Sequence, residues 1–547
     1  MRIKIACLLF LWFFFNATVF SQDKKQIQKP KLIIGIIIDQ MRYDFIYRLW
    51  DKFDNNGFKR LINEGAFCKN AKYNYPITKY IISYATIATG SNPSMHGIIS
   101  EDWYAPLYNR VINCIKDSTV STLGGYYESG KYSPVKLLSS TITDELKISN
   151  KKKSKVISIS MDPGPAVLSA GLIGNAAYWF DTETSNWITS SYYMKDIPLW
   201  ITEFNRKKLP DVYLDRNWET LLPIQEYGDS TMDAGKYETG FHGLKVFPYD
   251  LKKLSSGHDK KNYALLKTTP FANTLVKDFA ISAIVNEQLG KDDFTDMLYI
   301  SFSSTEYINQ SFGLNSVEME DAYLRLDRDI KHLLDFIDGY LGKGNVLIFL
   351  TSSHGSSYNP QYLTDMGISK SFFNSSQAMA LLKSYLNATY GTGDRIKHNS
   401  NLQIYLNDDL IKKSKLSTEA FQNDVVEFMM QFTGVVNVLS GKTIQNSSFS
   451  GDIFKKVQNL YNQKRSGDIV IILEPGCLEK KGLDINYSSP YNDDTHVPLI
   501  WYGWKIKNQT ISRKIDMTDI APTLSQILDI SIPNACQGEP IMELFEK

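Results

Sequence analysis

The chain has almost no net charge, few cysteines and, after its first twenty-one residues, no long apolar run; each scarcity removes a class of function. Its 60 lysines and arginines against 59 aspartates and glutamates leave a formal charge of +1 over 547 residues. No global field therefore draws the protein to nucleic acid, and any recognition is local. The five cysteines include no CxxC pair, which argues against a cysteine-built metal site. Beyond the N-terminus no window is long or apolar enough for a membrane span, and no internal repeat is present. With 43% hydrophobic residues, the chain can bury a large core.

The N-terminus differs from the rest. Met1 to Ser21, "MRIKIACLLFLWFFFNATVFS", carries Arg2 and Lys4, then an apolar stretch, then Val19 and Ser21 ahead of a polar "QDKKQ". This is the pattern of a cleavable signal peptide, residues 1–21, and it predicts an exported protein, periplasmic or extracellular. Cys7 lies inside the apolar stretch, which argues against lipid attachment there. Cys68, Cys114, Cys477 and Cys536 remain in a compartment where disulfides persist, and three pairings are open.

Several short apolar runs end abruptly in polar residues, as strands buried on both faces of a parallel sheet do. They are "LIIGIIID" (Leu32 to Asp39), "VISISMD" (Val156 to Asp162), "MLYISFS" (Met297 to Ser303), "VLIFLTS" (Val346 to Ser352) and "IVIILE" (Ile469 to Glu474). Between the third and fourth, Leu326, Ile330, Leu333, Leu334 and Ile337 keep helical spacing up to a glycine, which makes a βαβ unit. The expected fold is α/β: a doubly wound, mostly parallel sheet spanning 30–545, with cap regions inserted at about 170–265 and 365–450. Such sheets place ligands at the carboxyl ends of their strands.

Chemistry-bearing residues fall at those ends. Asp39 closes the first run, Glu306 follows the third, Ser353 and His354 follow the fourth, and His496 lies in "YNDDTHVPLI". Carboxylates and imidazoles converging at one edge suit a zinc-type site. The bland readings stand beside this one: an Asp at a strand end is commonly a cap, His96 in "SMHGI" reads as a turn histidine, and "KKKSK" (Lys151 to Lys155) reads as a solvated turn. His242, His258, His332 and His398 lie in polar or helical contexts that suggest no role.

Taken together, "GIIIDQMRYDFIYR", "GSNPSMHGIISEDWY", "SSYYMKDIPLWITEFN", "LLKTTPFANTL", "EDAYLRLDRDI", "QKRSGDIVIIL", "HVPLIWYGW" and "MTDIAPTLSQIL", in this order, resemble the alkaline phosphatase superfamily. The likeness is greatest to the PafA-type alkaline phosphatases, which are akin to nucleotide pyrophosphatases/phosphodiesterases. It implies a two-zinc phosphate-ester hydrolase in which a threonine attacks phosphorus.

The same resemblance implies a degenerate site. Asp39 keeps the first-strand aspartate, but the nucleophile's place falls on Tyr80, counted back from "ATIATG", and the asparagine before "DWY" is Glu101. An Asp and a His four residues apart read Glu306 and Gln310. The fourth-strand Asp-His pair reads Ser353-His354, and the lysine and arginine that clamp phosphate read Asp162 and Gly164. His354 and His496 are retained. Thr78 stands two positions before Tyr80, and shifting the register to reach it would restore neither Ser353 nor Gln310.

The expectation is a pseudophosphatase holding no metal or at most one, with a binding or scaffolding role toward an unknown protein or small-molecule ligand. The alternative is a metal-dependent phosphomonoesterase or phosphodiesterase with an altered, single-metal site.

Overall fold

A computed structural model describes residues 29–545 apart from 77–79, 229, 231–232, 258–259, 483 and 487–488. The signal-peptide segment, Thr78 and His258 lie outside the described residues.

The run from Leu32 to Ile38 shows why the centre of the fold has no polar face. Ile34, Ile36 and Ile38 point into one hydrophobic core, and Ile33 and Ile37 into another on the opposite side. Alternation along a strand sends successive side chains to opposite faces, so a strand covered on both sides must be apolar throughout. This strand, β1 (Leu32–Ile38), is the middle of a ten-stranded sheet.

The elements that build the site follow in chain order: α1 (Ile81–Thr89), β2 (Val156–Ser160), α2 (Pro163–Ala170), β3 (Asp296–Phe302), α3 (Ser304–Phe312), α4 (Val317–Leu341), β4 (Val346–Ser352) and β5 (His496–Gly503). β3 and β4 flank β1 in parallel, β2 lies beyond β3, and β5 runs antiparallel on β4. The pairing of Ile38 with both Phe302 and Ser352 puts the next residues, Asp39, Ser303 and Ser353, level at one sheet edge. The register of β2 on β3 carries Asp162 to the same edge.

α4 is the crossover expected between β3 and β4. The Ser316 hydroxyl caps it by accepting from the Met319 amide, Gly342 ends it, and the five periodic apolar residues are buried. α1 is buried along its whole length and ends at Gly90, whose φ of 64° is a left-handed C-cap.

Two segments sit elsewhere than the sequence pattern places them. Ile469–Leu473 is not in the central sheet. It is an inner strand of a separate antiparallel four-stranded sheet, between Gln403–Leu406 and Val435–Ser440, with Ile396–Ser400 at its edge. Its two faces pack into two small cores of that cap, so it too is apolar throughout and reads like a central strand. The interval 170–265, expected to stand outside the alternation, begins with two strands of the main sheet, Ala176–Asp181 and Asn186–Ser190. The four cysteines Cys68, Cys114, Cys477 and Cys536 are all unpaired thiols. Among the described residues no helix is long and apolar enough to cross a membrane.

Candidate functional site

Asp39 leaves β1 fully buried. Its Oδ1 accepts a hydrogen bond from the Tyr84 hydroxyl at 2.7 Å, reaching down from α1, while Oδ2 has no donor. Burial pushes its carboxyl up to about 7, and the negative Asp162 adds to the rise. Tyr84 opposes that rise, as does the neighbouring Ser353 side chain, although Ser353 Oγ completes no hydrogen bond of its own. His354, also buried, donates from Nδ1 to the Gly355 carbonyl at 2.6 Å, because that oxygen can only accept. Asp39 and Ser353 thus meet at the ends of β1 and β4, and His354 is the next residue of the chain, its ring bonded to the adjacent Gly355 carbonyl.

The second part of the site is a cavity of about 310 Å³ beside the start of α1. Tyr80, Glu101, Asp162, Gly164, Glu306 and Gln310 all line it, so these six candidate residues share one cavity. Tyr80 immediately precedes α1, with its ring edge-on to that of Tyr84. Loss of hydration holds its phenol well above the usual tyrosine range, and Asp162, Glu101 and Glu306 add to this by their negative charge. A phenol so held stays protonated near neutral pH and is a weak nucleophile. Gly164 lets α2 approach α1: a Cβ there would lie 2.4 Å from Ile81 Cδ1.

Asp162 is not an open charge. Its Oδ1 takes the Lys267 ammonium at 2.6 Å and the Tyr307 hydroxyl at 2.9 Å, and Lys267 also lies 5.4 Å from the centre of the Tyr307 ring. Tyr84, Lys267 and Tyr307 are the partners that sequence reading missed. Tyr84 stood one helical turn after Tyr80, and Lys267 stood inside "LLKTTPFANTL", a motif read for family and not for role. Gln310 Nε2 donates to Glu306 Oε1 at 3.3 Å, one helical turn back along α3.

His496 does not join them. It opens β5 at the right sheet edge, yet its ring stacks on Tyr43 at 4.3 Å and its Nε2 lies 2.8 Å from the Lys69 carbonyl. Strand register sets its position on β5, its ring lies on Tyr43, and it is not among the residues lining the cavity. His96 is structural, its two nitrogens engaged by Thr86 Oγ1 and the Ile98 amide.

The donor chemistry does not fit a two-zinc centre. At the positions that the resemblance assigns to metal ligands and nucleophile the chain carries Ser353, Gln310 and Tyr80, which are poor zinc ligands or a weak nucleophile, and His496 lies against Tyr43. Among the described residues no three His, Cys, Asp or Glu side chains gather as a metal-holding group.

A mostly parallel sheet with a cavity at the carboxyl ends of its strands defines an α/β protein with its candidate site at that edge. The family model for type I phosphodiesterase / nucleotide pyrophosphatase matches residues 33–488. Alkaline phosphatase PafA of Elizabethkingia meningoseptica is 37% identical over 96% of both chains. A protein of Myroides odoratus named calcium-transporting ATPase is 40% identical over the full length of both. The crystal structure of wild-type PafA superposes with a TM-score of 0.89 at 37% identity, covering 95% of this chain and 99% of that one. The chain belongs to this family of metal-dependent phosphatases, as a PafA-like alkaline phosphatase relative.

Proposed function

We propose that this protein is an exported member of the alkaline phosphatase family that no longer runs the family's two-metal hydrolysis and uses its cleft for binding. The observation that carries the reading is the wall around Tyr80. A phosphate ester entering there meets Glu101, Asp162 and Glu306, and no lysine, arginine or histidine lines the cavity among the described residues. Phosphoryl transfer needs positive groups where charge accumulates on the equatorial oxygens. The cavity presents carboxylates there, with Asp162 already paired to Lys267, behind a protonated phenol in place of an activated hydroxyl.

The test is turnover of p-nitrophenyl phosphate and bis-p-nitrophenyl phosphate by the purified mature protein with zinc, magnesium or calcium. The expected rate equals that of buffer with metal. Turnover that disappears in a Tyr80→Ala variant overturns the reading. Mass spectrometry of the exported chain should find the N-terminus near Ser21 removed.

A second reading, hydrolysis at an altered single-metal site, rests on one observation: Asp39 Oδ2 is fully buried without a donor, at the sheet edge where the following strand end carries His354. A lone cation held by that pair would satisfy it. If any measured hydrolysis survives both Asp39→Asn and His354→Ala, this second reading fails.

A further inference from the structure

We propose that a second cavity, of about 810 Å³, binds a neutral saccharide by its ring faces and hydroxyl groups. α3 contributes to both cavities, since Gln310 lines each of them. The proposal goes beyond the reading above and holds whether or not hydrolysis at Tyr80 is lost.

Three half-buried tyrosines stand on the wall: Tyr237, Tyr358 and, on the short helix Pro360–Asp365, Tyr362. Tyr362 links the other two, edge-on to Tyr237 at 5.9 Å and tilted against Tyr358 at 5.7 Å. The Arg42 guanidinium lies 4.5 Å from the centre of the Tyr358 ring and holds it in place. A pyranose presents an apolar C–H face with hydroxyls at its rim, which matches tyrosine rings set among polar groups. The volume is that of a pocket which encloses a whole small ligand.

Two observations point to a hydroxyl-bearing, uncharged occupant. The first is a shortage of donors. Glu238, on the wall, is 7% exposed, and its Oε2 is buried with no donor. Asp233 accepts from the Phe247 amide at 3.2 Å through Oδ2, while its Oδ1 is also buried with none. An unmet buried acceptor is costly, and a sugar hydroxyl supplies a donor without bringing charge. Asn359 offers the reverse: its Oδ1 accepts from the Gln361 amide at 2.9 Å, and its Nδ2 donates to no group among the described residues. The second observation is the state of the cation. Among the described residues Lys236 is the one lysine or arginine on this wall, and Asp365 takes both it and the Tyr237 hydroxyl. An anionic ligand therefore meets two carboxylates and a lysine already paired.

A saccharide reaches such a pocket as a free disaccharide or as a stretch of a longer glycan. Isothermal titration of the full mature chain with maltose, cellobiose and N,N′-diacetylchitobiose, then with maltopentaose and cellopentaose, separates the sources. A pentasaccharide that binds more tightly than its disaccharide indicates a glycan chain, and equal affinities indicate a free sugar. Saturable one-to-one binding of at least one of these sugars, weakened about tenfold or more by Tyr362→Ala and retained by Tyr362→Phe, supports the site. Glu238→Leu should weaken it as well; that side chain is buried, so the two Tyr362 variants carry the test if this one does not fold.

Two results overturn the proposal: no saturable binding of any of the five sugars, or binding that Tyr362→Ala leaves intact. Turnover of p-nitrophenyl phosphate bears on the Tyr80 cavity alone, so each idea can fail without the other.

Discussion

Lys267 and Asp162 form a largely buried ion pair at the cavity wall. Their side chains are 14% and 9% exposed, so each was taken out of water for the other. Removing one partner of a buried pair leaves a charge that nothing compensates, which costs about 3–5 kcal/mol, whereas removing both often costs far less. Lys267→Met should therefore destabilise the protein by roughly 3 kcal/mol. The double variant Lys267→Met with Asp162→Asn should recover most of that loss. Urea denaturation of the two variants checks this; equal losses in both would mean that the pair contributes through packing and not through charge. The aspartate itself was legible in the sequence. Its partner was not, because the two are 105 positions apart and only the fold makes them neighbours.

At the scale of the element, the first turn of α4 holds an unusual load. Glu318 is almost wholly buried and is hydrogen-bonded by the Tyr249 hydroxyl, with Glu238 and Asp233 from the preceding loop region also facing it and Lys245 near Glu238. Burial pushes Glu318 up to about 8 and Glu238 up to about 7, from the usual 4.5. Between pH 4.5 and 8 the folded chain keeps protons that the unfolded chain has released. The unfolded state binds fewer, so stability falls as pH rises through that window and levels off above it. Glu318→Gln should flatten the fall of melting temperature between pH 5 and 8; a slope unchanged by the substitution would place its origin elsewhere.

The main elements were readable because burial on both faces leaves so plain a pattern: β1, β3, β4 and the periodicity of α4 all lie where the sequence puts them. That same signal misplaced Ile469–Leu473. A strand in the middle of a small cap sheet with a core on each side carries the same isoleucines and valines as a strand in the middle of a large one. His496 failed for a different reason. Register along β5 gives its position, but the direction of its ring depends on Tyr43, which comes from the other end of the chain.

For the whole molecule, the question is what joins the cap to the sheet that carries the cavity. Arg465, in the loop entering the cap strand Ile469–Leu473, reaches out of the cap. Its Nη1 donates to the Gly97 carbonyl at 2.5 Å, its Nη2 to the Lys136 carbonyl at 2.8 Å, and its guanidinium lies 4.8 Å from the centre of the Trp103 ring. Asn459 and Asn462 add side-chain bonds to the carbonyls of Asn74 and Ser94. Gly97 and Trp103 flank Glu101 in the chain, so this one side chain ties the cap to a wall of the cavity. Arg465→Ala removes two charge-assisted hydrogen bonds and a ring contact while leaving two carbonyls to find new donors, a loss of about 2–4 kcal/mol. The cap has its own hydrophobic core and stays folded, so the effect should concentrate at the joint. Limited proteolysis should then cut the Arg465→Ala protein faster within 94–103 and 459–468, and amide exchange should rise in those segments while Ile404 and Ile471 in the cap core keep their protection. Protection lost equally across the cap would instead mean that the cap depends on this contact to fold.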